Sequence, residues 1–167
     1  MLETASEIDA LQRLMDATLG RVNAHMRSIV TPERRLTARQ VVAYLTGTRH
    51  IAFATANRRG EPRVSPLDAL FIHGRFYAGT GAGAARVAHL RANPACSAVH
   101  MEGDRVGVTV NGHVEWIGRG HPAHDELIRV WIDTYGSDPY LLGEVVFFRI
   151  EPTSMWAFAS NPADFPS

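Results

Sequence analysis

The stretch RFYAGTGAGAARVAHLRANP, Arg75 to Pro94, decides the fold. A short apolar run leads into a glycine-rich turn, and a helical pattern from about Ala84 to Ala92 follows, closed by Asn93-Pro94. Strand, Gly81-x-Gly83 and helix come in the order of a dinucleotide-binding fingerprint, and Glu102 stands about twenty residues further on. The sixth position of that fingerprint is Arg86, however, whose bulk opposes the close helix-to-strand packing that a small residue permits there. What survives is the physical core of the motif. Free backbone N–H groups at a helix N-terminus receive phosphate, and Arg86 adds a charge in the first turn.

The surroundings of this stretch also exclude alternating βαβ units. After Arg49 the chain runs in short apolar segments broken by turn residues every 8 to 12 positions or so, the texture of antiparallel sheet or barrel. HIAFATA, RVSPLDALFIH and RFYAGT are the first three segments, the last two joined by a tight turn at His73-Gly74. Pro62 and Pro66 put the second segment at an edge or a bulge. ACSAVHM is the fourth. In VGVTVNGHVEW, Asn111-Gly112 is a strong hairpin signal, yet a hairpin would mix apolar and polar residues on each face. A continuous strand aligns Val106, Val108, Val110, Val114 and Trp116, so the reading is one strand bent or bulged at Gly112. HPAHDELIRVWIDTYG reads as a helix with Pro122 near its first turn and Gly136 after its last. Leu127, Trp131 and Tyr135 form its apolar stripe, and EVVFFRIE and SMWAFA are the closing strands.

Ahead of the sheet, Ile8, Leu11, Met15, Leu19, Val22, Met26 and Ile29 draw one stripe along a long amphipathic helix that Pro32 stops. LTARQV then opens a second helix with a Thr37–Gln40 capping box and a Leu36–Val41 staple, and Gly47 follows as its C′ residue. Residues 1–35 are thus expected as a helical extension and 36–167 as the barrel domain.

Seventeen arginines balance 17 acidic residues and there is no lysine, so the broad electrostatic attraction of a nucleic-acid binder is absent and cationic chemistry falls to Arg or His. One cysteine, Cys96, rules out an internal disulfide framework or a CxxC zinc site and is expected as a buried thiol. With acids from the start and no long apolar run, the sequence reads as a cytoplasmic chain with no membrane partner.

RFYAGTGAGAARVAHLRANP resembles the segment of the pyridoxamine 5′-phosphate oxidase-like, FMN-binding split-barrel proteins in which a strand leads through a Gly-Ser-Arg-Lys turn into a short helix ending in Asn-Pro. IAFATANRRGEPRVSPLDALFIHGRFY is similar to the family's first three strands, and VVFFRIEPTSMWAF is a weaker echo. The resemblance implies a mainly β fold, an antiparallel split β-barrel of about six or seven strands with peripheral helices. It implies an oxidoreductase, with FMN or the deazaflavin coenzyme F-420 held between the subunits of a homodimer and a small organic molecule as substrate.

Arg63, Val64, Ser65 and Pro66 would lie along the flavin, Thr80, Gly81, Gly83 and Ala84 would form the turn, and Arg86 would take the phosphate-binding lysine's place. Ala84-Ala85 stands where the family has Ser-Arg, lacking a hydroxyl and one cation, a departure that weighs less against a deazaflavin than against FMN. No catalytic acid–base pair is required, because the coenzyme carries the hydride. Tyr77 and Trp156 could flank a ring or serve as core. His89, behind the turn, could contact the coenzyme, or ligate haem in the alternative of a non-enzymatic split barrel that binds haem or another small ligand. His121 and His124 are expected in surface and capping roles, with no metal.

Overall fold

The computed structural model describes residues 2–166, Leu142 by its backbone alone. Asn111-Gly112 does not turn the chain: β5 runs unbroken from Val106 to Ile117. Beside it β6 spans Val145–Ala159, so the two expected closing strands are one strand of 15 residues. The merger has a physical reason. Between Asn111 and Gly112 the register shifts, Asn111 facing Ser154 and Gly112 facing Pro152, which leaves Thr153 as an extra residue on β6. Pro152 donates no backbone hydrogen bond and so is tolerated at such a bulge. Gly112 admits it, because a Cβ there would lie 2.1 Å from the Glu151 carbonyl oxygen.

The remaining strands are β1 (Thr48–Ala56), β2 (Pro62–Ile72), β3 (Arg75–Gly81) and β4 (Ala95–Glu102). All pair antiparallel and close into a six-stranded barrel in the order β1-β2-β3-β6-β5-β4. Alternate residues fill it: Ile51, Phe53, Ala69, Phe71, Val108, Val110, Phe148 and Met155 are buried in one cluster. β2 and β3 meet through a tight turn in which His73 (φ 51°) and Gly74 (φ 74°) are both left-handed, the geometry that matches strand twist. They stay paired only from Leu70 to Ile72. Pro62 to Ala69 bond β1 alone, and Ala78 to Gly81 bond β6 alone, so the barrel is split between the two strands. The prolines therefore do lie at an edge.

The expected long N-terminal helix is two helices, α1 (Ala5–Arg21) and α2 (Ala24–Ile29). Asn23 starts the second by accepting a hydrogen bond from the Met26 N–H. The apolar stripe is not an external face over its first half. Ile8, Leu11 and Met15 belong to the barrel's own core cluster. The buried Thr18 hydroxyl accepts from Met155 N–H (3.1 Å), and Gln12 accepts from Ala38 N–H (2.8 Å). The second of those bonds reaches α3 (Ala38–Tyr44), whose Thr37–Gln40 capping box forms as expected. Leu36 and Val41 are buried. Gly47 is left-handed (φ 82°) but comes two residues after the C-cap Leu45, so it turns the chain into β1 and does not end the helix.

After the split come α4 (Ala85–Ala92) and, between β5 and β6, α5 (His124–Tyr135), which begins beyond Pro122 and ends at the left-handed Gly136. α5 lays Leu127, Trp131 and Tyr135 over a second apolar cluster on the outside of the barrel, with Leu70, Tyr77 and Phe147. Among the described residues, no helix is long and apolar enough to cross a membrane.

His73 ties three elements together. Its Nδ1 lies 3.1 Å from Glu7 of α1 and its Nε2 3.0 Å from Glu126 of α5. Burial alone would lower its pKa, but the hydrogen bonds to Glu126 and Glu7 prevail and raise it. Glu7 is lowered: burial pushes its carboxyl up, and the bonds from Thr4 and His73 outweigh it. A raised histidine adds stability that is complete below its unfolded pKa of about 6.5 and is lost as pH climbs through the folded value.

His73→Asn keeps a residue suited to the left-handed turn and removes the bridge, so its loss of melting temperature is expected to be larger at about pH 5.5 than at about pH 8.5. Equal losses at both would show that His73 acts only through the turn. Gly112→Ala is expected to cost about 3 kcal/mol in denaturant unfolding, since the obstructing atom is backbone. Gly20→Ala, in α1 with open space around it, is expected to add about 0.5–1 kcal/mol in the same assay.

Candidate functional site

The split leaves one edge of β2 unpaired, and the chain leaving β3 fills the gap with the glycine turn and α4. Thr80 and Gly81 still pair with Val146 and Val145. Ala82 N–H then bonds the Glu144 carbonyl (2.8 Å) and Ala84 N–H the Gly81 carbonyl (3.0 Å), so the turn is pinned before the helix begins. Gly81 and Gly83 have no positive φ, and a Cβ on either would meet no atom within 4 Å. The chain's own packing does not demand glycine at these two positions. They leave open space in front of the turn.

α4 is anchored by Val87 and Leu90, both buried, and by His89, whose Nδ1 lies 3.0 Å from the Thr55 hydroxyl of β1. Its N-terminus is bare. Ala84 provides no side-chain cap, and the first turn carries no acid. The N–H groups there are unsatisfied by any neighbouring side chain and present the positive end of the helix dipole. Arg86 extends from this turn across the split to the Pro66 carbonyl, 3.5 Å away. It is the physical link between the two expected coenzyme segments, 63–66 and 80–86.

Within the first segment the residues divide. Arg63 pairs with Glu61, 2.8 Å away, and donates to the Pro62 carbonyl, both contacts exposed to solvent. Val64, Ser65 and Pro66 line a cleft of about 370 Å³ across the outer faces of β2, β1 and β4. Val64 and Met101 at its borders are 68% and 63% exposed. Asp68 points outward from the same strand and pairs with His50 (2.7 Å), away from the turn.

His50, Ala52, Val99 and Met101 of this cleft were not singled out by sequence reasoning. A signal existed: IAFATA and ACSAVHM are apolar on both faces, whereas a strand with one solvated face alternates. Tyr77 and Trp156 are not brought to the cleft. Tyr77 is 2% exposed and accepts a hydrogen bond from Arg149. Trp156 lies opposite Thr109, far along β6 from the turn.

His121 accepts from Ala123 N–H at the start of α5, a capping role, and bonds Glu115. His124 is buried, held by Asp125 and the Tyr140 hydroxyl, and so is not the surface residue expected. Among the described residues no cluster of three or more metal-ligating side chains occurs. Cys96 is a buried free thiol, its pKa pushed up to about 12 by burial.

A closed antiparallel barrel, split at β2/β3 and bearing a bare helix N-terminus with an arginine at the split, defines the class of split-barrel proteins. Residues 37–159 match the family described as pyridoxamine 5′-phosphate oxidase, and the chain belongs to that family. Solved structures with the same fold include an F420 reductase (19% identity, 66% of this chain and 91% of that one, TM-score 0.54). A FAD-binding protein from Mesorhizobium loti shares 24% identity over 77% of this chain and 98% of its own, with a TM-score of 0.58. The haem storage protein HutZ from Vibrio cholerae shares 16% over 75% and 94%, with a TM-score of 0.59. At these identities the likeness establishes the fold alone. No curated protein sequence matches the chain.

The bare N-cap separates stability from anion binding. Ala84→Asp is expected to stabilise the ligand-free protein by about 1 kcal/mol, measured by thermal unfolding, because it caps α4. The same substitution is expected to weaken binding of a phosphate-bearing coenzyme in a titration, since its carboxylate takes the N–H groups and repels the anion.

Proposed function

We propose that the protein is an oxidoreductase that holds a flavin-type coenzyme, FMN or the deazaflavin F-420, at the split of the barrel. The observation that carries the reading is the turn from Thr80 to Arg86, where an uncapped helix N-terminus, open space at Gly81 and Gly83, and the Arg86 guanidinium converge. When bound, the coenzyme supplies hydride transfer to or from a small organic substrate. The chain's own residues bind and orient it. Arg86 and the first-turn N–H groups of α4 hold the phosphate, while Val64 to Pro66 offer an edge of extended backbone and a flat apolar surface for the ring.

The pinning of the turn by Glu144 and of α4 by Thr55 keeps those donors fixed before the coenzyme arrives, which lowers the ordering cost of binding. A second copy of the chain, seated on the apolar surface around Val64 and Met101, would exclude water from the ring. Family membership and the likeness to an F420 reductase and a FAD-binding protein support this reading. Ala84 and Ala85 remove a hydroxyl and a cation from the turn, so Arg86 bears most of the phosphate contact.

The visible spectrum of the freshly purified protein, followed by titration with FMN and with F-420, tests the proposal. A flavin or deazaflavin band is expected, and Arg86→Ala is expected to weaken binding of that coenzyme by about one to two powers of ten, since hydrogen bonds to charged groups contribute roughly 1.5–3 kcal/mol. An unchanged affinity would remove Arg86 from the site. A haem band in a protein that takes up neither flavin would replace this reading with the non-enzymatic one.

A further inference from the structure

We infer that a cleft beside the last turn of α4, adjoining the β6 residues that pair with the glycine turn, is a second ligand site built for a planar aromatic carboxylate. The cleft holds about 440 Å³, within the usual range for small-molecule sites, and lies between the ends of β5 and β6 and the 3₁₀ turn Pro139–Leu142. Its walls include Trp116, Ile117, Tyr140 and Phe147, and its charges are Arg91 and Arg119. Among the described residues no acidic side chain lines it.

Some arginines near the barrel are paired with acids and others are not. Arg75 and Arg149 are matched to Glu151, Arg105 to Glu102 and Arg63 to Glu61. Arg91 and Arg119 form no ion pair with a carboxylate among the described residues. Glu115, the nearest acid along β5, is already taken by His121 and Arg149. Glu144, next to the wall residue Val145, is exposed and outside the lining. Both arginines are exposed, and an anion bound in the cleft would meet two guanidinium groups with no competing carboxylate in the lining.

The aromatic wall is fixed before a ligand arrives. Arg119 sits 4.3 Å over the Tyr140 ring. The Tyr140 hydroxyl is held by His124 Nε2 (2.8 Å), and its ring meets Phe147 edge-on at 5.8 Å. Trp116 is held edge-on against Phe148, also at 5.8 Å. Arg91 reaches the cleft from the last turn of α4, whose first turn carries Arg86. A flat ring against the aromatic wall and a carboxylate between two guanidinium forks satisfy both halves of the cleft. The inference stands on these contacts and does not require the coenzyme reading.

The probe is 1-naphthoate, added to the full-length protein and followed by calorimetry and by tryptophan fluorescence. Saturable binding with one site per chain is expected, with the neutral 1-naphthamide weaker by about tenfold or more. Arg119→Ala and Arg91→Ala are each expected to weaken naphthoate by a similar factor. Trp116→Phe is expected to abolish most of the fluorescence response while calorimetric affinity changes only a few-fold. Equal affinity for acid and amide in the unmodified protein would overturn the proposal without any variant having to fold. So would undetectable binding, or a fluorescence response that survives in Trp116→Phe.

Discussion

Glu151 presents its carbonyl oxygen to the position where residue 112 would carry a Cβ, and the closure of the barrel depends on that approach. With Gly112 in place, β5 and β6 pair along almost their whole length despite Pro152, and the extra residue Thr153 is absorbed as a bulge. The long ladder makes β6 a shared wall. It bonds β5 on one side and β3 on the other, carries Phe148 and Met155 into the core, and receives α1 through Thr18. A side chain at 112 would force the two strands apart where both the core and the helix are anchored.

The same ladder explains why the split falls between β2 and β3. β3 follows β6 to its end at Val145, while β2 follows β1 to Pro62, and the two diverge beyond Leu70. A gap in a barrel leaves unpaired edge groups that must be covered or used. Here the chain covers part of it with α4 and leaves Val64 to Pro66 accessible. The opening at the split is thus a consequence of strand divergence, and Arg86, reaching Pro66, spans it. Inside the barrel Tyr44 and His100 share a bond at 2.8 Å, and His100 donates to the His50 carbonyl. Burial pushes the Tyr44 hydroxyl up strongly, and its bond to Glu102 adds to the effect.

Much of this was legible in local pattern. The strands, the left-handed His73-Gly74 turn, the Thr37–Gln40 box, the continuous strand through Gly112 and the helix after the glycine turn follow from period-two alternation and capping chemistry. Local pattern misled where a partner decided the outcome. Thr153 reads as a break in β6 until Gly112 is placed opposite Pro152. The stripe from Ile8 to Ile29 reads as one helix because periodicity persists through Val22, whereas Asn23 restarts the chain by capping. His124 reads as a surface residue beside an exposed Asp125, yet Tyr140, sixteen positions away, encloses it.

For the site, the sequence by itself determined the types and order of the groups: a glycine turn, a helix start without a cap, one arginine in its first turn, and no lysine to replace it. These depend on neighbours along the chain. Only the tertiary structure decided which of those groups are free. Arg63 is drawn to Glu61 and Asp68 to His50, while Arg86 is left to span the split and, among the described residues, Arg91 and Arg119 pair with no acid. Charge pairing falls off within a few ångströms and is set by strand register and divergence, distances that residue spacing does not encode.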